Sequence, residues 1–340
     1  MWHTKCITRW QVSYRWISSQ PRNPQRFIPQ TVSGHSKRKK MVIQMMFNFL
    51  KTLLFIFPMT TIAQTFPSIA DKYIDIENLK IAYKDEGSGQ VLLCLHAVGH
   101  SSKDFSTLYQ LDSNKYRIIS LDFPGHGDSD KSTENISATY FSSIVLKVID
   151  SLKLKDLIII GNSIGGATAI RIASNNPNIR NLVLANPAGL DKKGWLAPLF
   201  LNYMIHFFQN GVDKKANFQD KFSNYYKKVL TSDTALDRKN EIVRDAYRIA
   251  PILVQGWTSF KKDEEDLRSL IETLNCPVLF TWGMNDKFVQ FNRNKKAIEK
   301  FKNYKLIKYK IGHTPYIECP DLFLKDFQEY LTNYNENKKE

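Results

Sequence analysis

Two rhythms of apolar spacing alternate along this chain from about Asp71 onward. Residues 73–76 and 79–83 alternate apolar with polar positions and are split by Glu77-Asn78, which predicts an antiparallel hairpin at a sheet edge. Residues 91–95, 117–121 and 157–160 are nearly continuous apolar runs, the pattern of strands covered on both faces in a parallel sheet. Residues 105–111, 138–152 and 164–173 repeat with helical period instead, and a strand follows at 181–185. Strands at 278–282 and 305–311, with helices at 292–301 and 322–331, complete the series. Such alternation predicts the α/β class with a doubly wound, mostly parallel sheet.

The rhythm breaks between residues 190 and 274. That stretch holds no strand pattern, yet it carries Trp195, Phe200, Tyr203, Phe207, Phe208, Phe218, Tyr225, Tyr226, Tyr247 and Trp257. It reads as a helical cap inserted into a core made of residues 71–189 and 275–335.

Charge changes the picture only at the N-terminus. The chain of 340 residues carries a formal charge of +15 from 48 basic and 33 acidic residues. Residues 1–70 contain ten Lys or Arg and no acid, so 38 basic residues face 33 acids in the remainder, a balance of only +5. The folded part therefore gives no reason to expect nucleic acid as a partner. Residues 1–63 form a basic leader. Lys37-Arg38-Lys39-Lys40, the apolar centre Leu53-Leu54-Phe55-Ile56-Phe57 and the small-residue stretch Thr61-Ile62-Ala63 fit a secretory signal peptide, and export is the expected localisation. The long, acid-free Arg-rich segment also suits an organellar transit peptide, and a start at Met41, Met45 or Met46 would give ordinary signal-peptide proportions. A membrane anchor is the third reading, although Gln44, Asn48, Lys51 and Pro58 interrupt the apolar run. Membrane contact is expected only through this leader. Cys6, Cys94, Cys276 and Cys319 form no C-x-x-C pair, so neither a zinc site nor a disulfide framework is expected. Cys94 and Cys276 fall in or beside core strands.

The sharpest chemical signal is Gly161-Asn162-Ser163-Ile164-Gly165-Gly166, directly after a strand and directly before a helix. It matches G-x-S-x-G in the context that gives the motif meaning: glycines permit a tight, strained turn that lifts the serine hydroxyl above the sheet. A serine needs a base to take its proton. Taken in the order serine, acid, histidine, the chain offers His206, inside the cap, and His313, after the last strand in Ile311-Gly312-His313-Thr314-Pro315. His313 is the better placed. Asp286, just beyond the strand in Thr281-Trp282-Gly283-Met284-Asn285-Asp286, is the candidate carboxylate that orients the imidazole, with Asp191 as fallback. The oxyanion formed in acyl transfer calls for two N–H donors. The amide of Ile164 supplies one, and the loop Leu95-His96-Ala97-Val98-Gly99-His100-Ser101 the other, through Val98.

Four motifs in this order, the Leu95–Gly99 loop, Asp122-Phe123-Pro124-Gly125-His126-Gly127-Asp128-Ser129, the serine turn, and Gly283–Asp286 followed by Gly312-His313, resemble the α/β-hydrolase family over about residues 80–330. The resemblance implies a serine hydrolase without metal or organic cofactor, acting on a small apolar acyl substrate such as a carboxylic ester, and a structural role for His126. Ala97 stands where the family usually has glycine. The serine turn and Asn186-Pro187-Ala188-Gly189-Leu190 are also similar to hydrolases that cleave carbon–carbon bonds of ring-fission diketones, but Thr314 stands where those enzymes place tryptophan. A ligand-binding protein that keeps the fold without catalysis is the reading from a different class.

Overall fold

The computed structural model of the protein describes residues 68–336 apart from residue 193, so the leader reading lies outside the described residues. Among the described residues eight strands form one sheet in the order β1-β2-β4-β3-β5-β6-β7-β8. They are β1 (Lys72–Ile76), β2 (Leu79–Gly87), β3 (Gln90–Leu95), β4 (Tyr116–Leu121), β5 (Leu157–Asn162), β6 (Ile179–Ala185), β7 (Val278–Gly283) and β8 (Tyr304–Tyr309). β1 pairs antiparallel with β2 and β2 antiparallel with β4, and every other pairing is parallel. Glu77 and Asn78 both take positive φ, the backbone that a two-residue hairpin turn needs.

Alternate residues of each central strand feed opposite faces. Leu93, Leu95, Ile119, Ile159 and Leu184 pack against α1 (Ala138–Ser151), α2 (Ile164–Asn175) and α7 (Phe291–Ile298). Leu92, Cys94, Ile118, Ile160 and Val183 pack on the other side against Phe105, Leu108, Phe323 and Phe327, the last two from α9 (Pro320–Glu336). Both faces are thus covered, which is why these strands read as continuous apolar runs. Ser137 caps α1 by accepting from the Tyr140 amide at 3.0 Å.

Two elements differ from expectation. Residues 105–110 lie in a 3-10 stretch, Ser102–Gln110, capped by Leu111; Phe105, Leu108 and Leu111, spaced by three, are all buried, and that spacing suits three residues per turn. The last strand ends at Tyr309, before the expected Ile311, because the chain must swing out there to carry His313. Cys94 is buried and Cys276 only half-buried; both, with Cys319, are free thiols.

Between β6 and β7 lie α3 (Ala197–Val212), α4 (Phe218–Val229), α5 (Leu236–Arg244) and α6 (Ala246–Ser259). They enclose a separate aromatic core of Phe208, Phe218, Phe222, Tyr226 and Trp257 with aliphatic neighbours. The stems of this insertion meet: the Leu267 amide donates to the Gly189 carbonyl at 2.9 Å. Among the described residues no helix is long and apolar enough to cross a membrane. Strands β4 and β5 lie on opposite sides of β3, a reversal of order that places a crevice at the carboxyl ends of β3 and β5.

Candidate active site

Since β5 ends at Asn162 and α2 begins at Ile164, Ser163 alone makes the turn between them. Its backbone, φ 54° and ψ −117°, is one that L-residues hold only under constraint. Hydrogen bonds supply that constraint. The Ser163 amide donates to Ala185 O at 3.1 Å, and its carbonyl accepts from Ala167 N and Ala188 N, each at 3.0 Å. Helix α2 also passes so close to the end of β3 that a Cβ on Gly165 would stand 2.1 Å from Leu95 O. Ser163 is 7% exposed and lines a cavity of about 140 Å³ between sheet and cap.

His313 lines the same cavity, and its Nδ1 lies 2.6 Å from Asp286 Oδ2. The remaining capacity of that carboxylate is filled by the amides of Phe288 at 2.8 Å and Val289 at 3.1 Å and by Asn186 Nδ2 at 2.8 Å. Burial alone would push Asp286 up, but the imidazole and the amides outweigh it and hold the carboxyl below its usual range. For His313, burial disfavours the charged ring; the adjacent carboxylate outweighs that and holds it above the ordinary histidine value. With Nδ1 facing Asp286, Nε2 is the nitrogen left for chemistry. Ser163 and His313 share the cavity without a hydrogen bond between them among the described residues; such contacts commonly tighten only with substrate in place.

The loop bearing His313 is fixed from three sides. Its amide donates to Val229 O, at the end of cap helix α4, at 2.8 Å. Asn162, beside the serine, donates to His313 O at 3.1 Å and accepts from Thr314 Oγ1 at 3.1 Å. Glu318, 2% exposed, accepts from Gly312 N at 2.9 Å and Thr314 N at 3.1 Å, and also from Thr231 N at 2.6 Å, Thr231 Oγ1 at 3.0 Å and Ser232 N at 3.1 Å. One buried carboxylate thus ties the histidine loop to the cap. The loop also crosses β7 so closely that a Cβ on Gly283 would stand 1.6 Å from Gly312 O.

The two expected oxyanion donors belong to residues near the same cavity. Ile164 follows Ser163 in the chain, Val98 lines the cavity, and neither amide donates a hydrogen bond to another group among the described residues. Two buried imidazoles shape the Val98 loop: Gly99 N donates to His126 Nε2 at 3.0 Å, and Phe123 N to His96 Nε2 at 3.0 Å. Burial lowers the first well below the histidine range and the second to about 4, so both stay neutral acceptors. Ala97 is buried at the cavity edge.

The alternatives part company here. His206 is exposed on α3, and Asp191, though it lines the cavity, pairs with Arg293 at 2.9 Å. Asn186 figured in the sequence only within a resemblance; it holds Asp286 and also accepts from Gly283 N at 2.8 Å. Its signal was an asparagine at a strand end, a residue that tolerates the φ of 40° found there. Glu318 escaped notice altogether, although Thr314-Pro315 at the start of α8 (Pro315–Glu318), with an acid in the first turn, is a helix-start pattern. Among the described residues no cluster of His, Cys, Asp and Glu could hold a metal ion.

A protein-family model described as alpha/beta hydrolase fold matches residues 90–320. A putative esterase/lipase of Mycoplasma genitalium is 26% identical over 77% of this chain and 96% of its own. The 2-hydroxy-6-oxo-6-phenylhexa-2,4-dienoate hydrolase of Comamonas testosteroni is 24% identical over 68% of this chain and 83% of its own. Among solved structures, an esterase from Exiguobacterium antarcticum superposes with a TM-score of 0.66 at 20% identity, covering 77% of this chain and 99% of that one.

Proposed function

The chain belongs to the α/β hydrolase fold family, and from that premise we propose that it hydrolyses carboxylic esters through an acyl-enzyme on Ser163. His313 Nε2 takes the serine proton as the hydroxyl oxygen attacks the ester carbonyl, and Asp286 stays ionised while it orients and stabilises the imidazolium. The tetrahedral oxyanion is held by the amides of Val98 and Ile164. Collapse breaks the bond to the alcohol, which leaves with the proton from His313. Water then attacks the acyl group, gives its proton to His313, and the acid departs as Ser163 regains its hydrogen.

The observation that carries this reading is the meeting, in one small cavity, of a serine in a strained strand-to-helix turn and an imidazole whose far nitrogen is backed by a buried carboxylate. The esterase names among the relatives point the same way. The cavity walls are mainly apolar, with Leu201, Leu253, Trp257 and Phe288 among them, which suits a small apolar acyl group. Intact-mass analysis after exposure to a fluorophosphonate tests it. One adduct on the wild type and none on Ser163→Ala is expected. A folded wild-type protein that takes no adduct would favour the non-catalytic ligand-binding reading.

Carbon–carbon bond hydrolysis by the same residues is the second reading, favoured by the likeness to the Comamonas enzyme. Against it, Thr314 turns its hydroxyl to Asn162 where those enzymes carry an indole. Turnover of a vinylogous diketone faster than of simple esters would reverse the order. Export is a separate proposal resting on the leader sequence alone: N-terminal sequencing of the recovered protein should begin after Ala63, and a start at Met1 would dismiss it.

A further inference from the structure

A second imidazole–carboxylate pair stands on the wall of the same cavity, and the proposed reaction leaves it without a task. His100 lines the cavity and is 2% exposed, and its Nδ1 lies 2.6 Å from Asp104 Oδ2. The other oxygen of Asp104 accepts from Arg238 Nε at 2.8 Å. Arg238, from α5, also donates to Ser101 Oγ at 3.1 Å and to Glu241 at 3.2 Å, and Lys103 donates to Glu241 at 2.6 Å. Burying charged groups costs free energy that offsets much of what their ion pairs return. Arg238 and Asp104 would still satisfy each other without the imidazole.

What the imidazole adds is its outer edge. Three buried histidines surround the loop after β3, and two of them spend both nitrogens inside the protein: His96 on Ala97 O and Phe123 N, His126 on Pro124 O and Gly99 N. His100 spends only Nδ1, and among the described residues its Nε2 has no hydrogen-bond partner. Because Asp104 accepts at Nδ1, the proton is fixed there and Nε2 presents a lone pair. Asp104 is shared between this ring and the Arg238 guanidinium. A neutral acceptor set among apolar walls recognises an O–H.

We propose that His100 Nε2 accepts a hydrogen bond from a hydroxyl group of the substrate, making this wall of the cavity a specificity subsite for hydroxylated acyl chains. The inference deepens the ester reading, since that reading places the reacting carbonyl at Ser163. A buried acceptor that a ligand satisfies favours the hydroxylated compound over its deoxy analogue, which leaves the acceptor unpaired.

The test uses inert carbonyl compounds, so that binding is read apart from turnover. The full chain is titrated, by ligand-observed NMR, with methyl propyl ketone, with its analogues hydroxylated at each successive chain carbon, and with laevulinate. At least one hydroxyketone should bind about five- to tenfold more tightly than the parent ketone. That preference should vanish in His100→Phe, where Asp104 keeps Arg238. Equal binding of all the ketones by the wild type overturns the subsite whether or not the variant folds. So does tighter binding of laevulinate, which would mark an imidazolium site for carboxylates, and so does a preference that survives His100→Phe. Fluorophosphonate labelling of the same wild-type preparation separates the two ideas. A hydroxyl preference without an adduct keeps the subsite and removes the esterase; an adduct without the preference does the reverse.

Discussion

Two histidine–carboxylate pairs face one cavity, each closed by an Nδ1 to Oδ2 distance of 2.6 Å, yet their surroundings differ in kind. Asp286 is held by neutral donors, the amides of Phe288 and Val289 and the side chain of Asn186. Asp104 is held by a guanidinium. Amides leave the carboxylate's full charge directed at the imidazole, which suits a ring that must become charged during a reaction. A guanidinium takes up part of that charge, and the ring beside it presents its Nε2 edge to the cavity, which suits the recognition proposed above. The same short hydrogen bond therefore serves two tasks, and the third partner decides which.

The comparison can be broken most forcefully at Asp286. Asp286→Asn should lower kcat roughly 10⁴-fold, because the amide no longer fixes the tautomer or stabilises the imidazolium. Asp191, paired with Arg293, offers no substitute. A loss of less than tenfold would mean that His313 does not depend on this carboxylate. At the other pair the damage should fall on the fold: Arg238→Met leaves Asp104 buried without its cation, and urea unfolding should show a loss of about 3–5 kcal/mol. An unchanged midpoint would refute the division of labour. Glu318→Gln comes next. An amide oxygen cannot replace both carboxylate oxygens for five donors, and kcat should fall about ten- to hundredfold through a loosened His313 loop, with KM little altered. A KM effect with kcat intact would assign Glu318 to the cap alone.

The smallest effect sharpens the comparison by pH. In the proposed reaction the neutral form of His313 is the base, and Asp286 holds the ring above the ordinary value of about 6.5 despite burial. Activity should therefore be lost as pH falls through a limb lying above that value in kcat/KM. In Asp286→Asn the largest opposition to burial is gone and only the weaker pull of Glu318 and Asp104 remains, so the limb of the residual activity should move down. Movement of the limb in the opposite direction would contradict the assignment of the base.

The Asp286–His313 pair and the Ser163 turn were legible in the sequence because glycines mark them: Gly161, Gly165, Gly283 and Gly312 sit where backbones pass too closely for a side chain, and close passage leaves a local spelling. The central strands were legible because burial on both faces removes polar residues from them. The second pair was not, since Asp104 and Arg238 lie 134 positions apart on elements whose polar residues look solvent-facing in one dimension. Glu318 joins residues 86 and 87 positions upstream to its own loop, and no periodicity records that. The 3-10 stretch before β4 was misjudged for a related reason: over seven residues, a spacing of three is nearly as compatible with an α-helix.

The bond between Gly189 and Leu267 closes the stems of the cap. An excursion whose roots touch can be lengthened, trimmed or exchanged without displacing the strands on either side, so substrate range can diversify between those two residues while the sheet stays constant. The exchange is not wholly free. A transplanted cap would have to bring its own guanidinium for Asp104 and its own donors for Glu318, and a cassette lacking them would fold over a cavity whose second wall and histidine loop had lost their anchors.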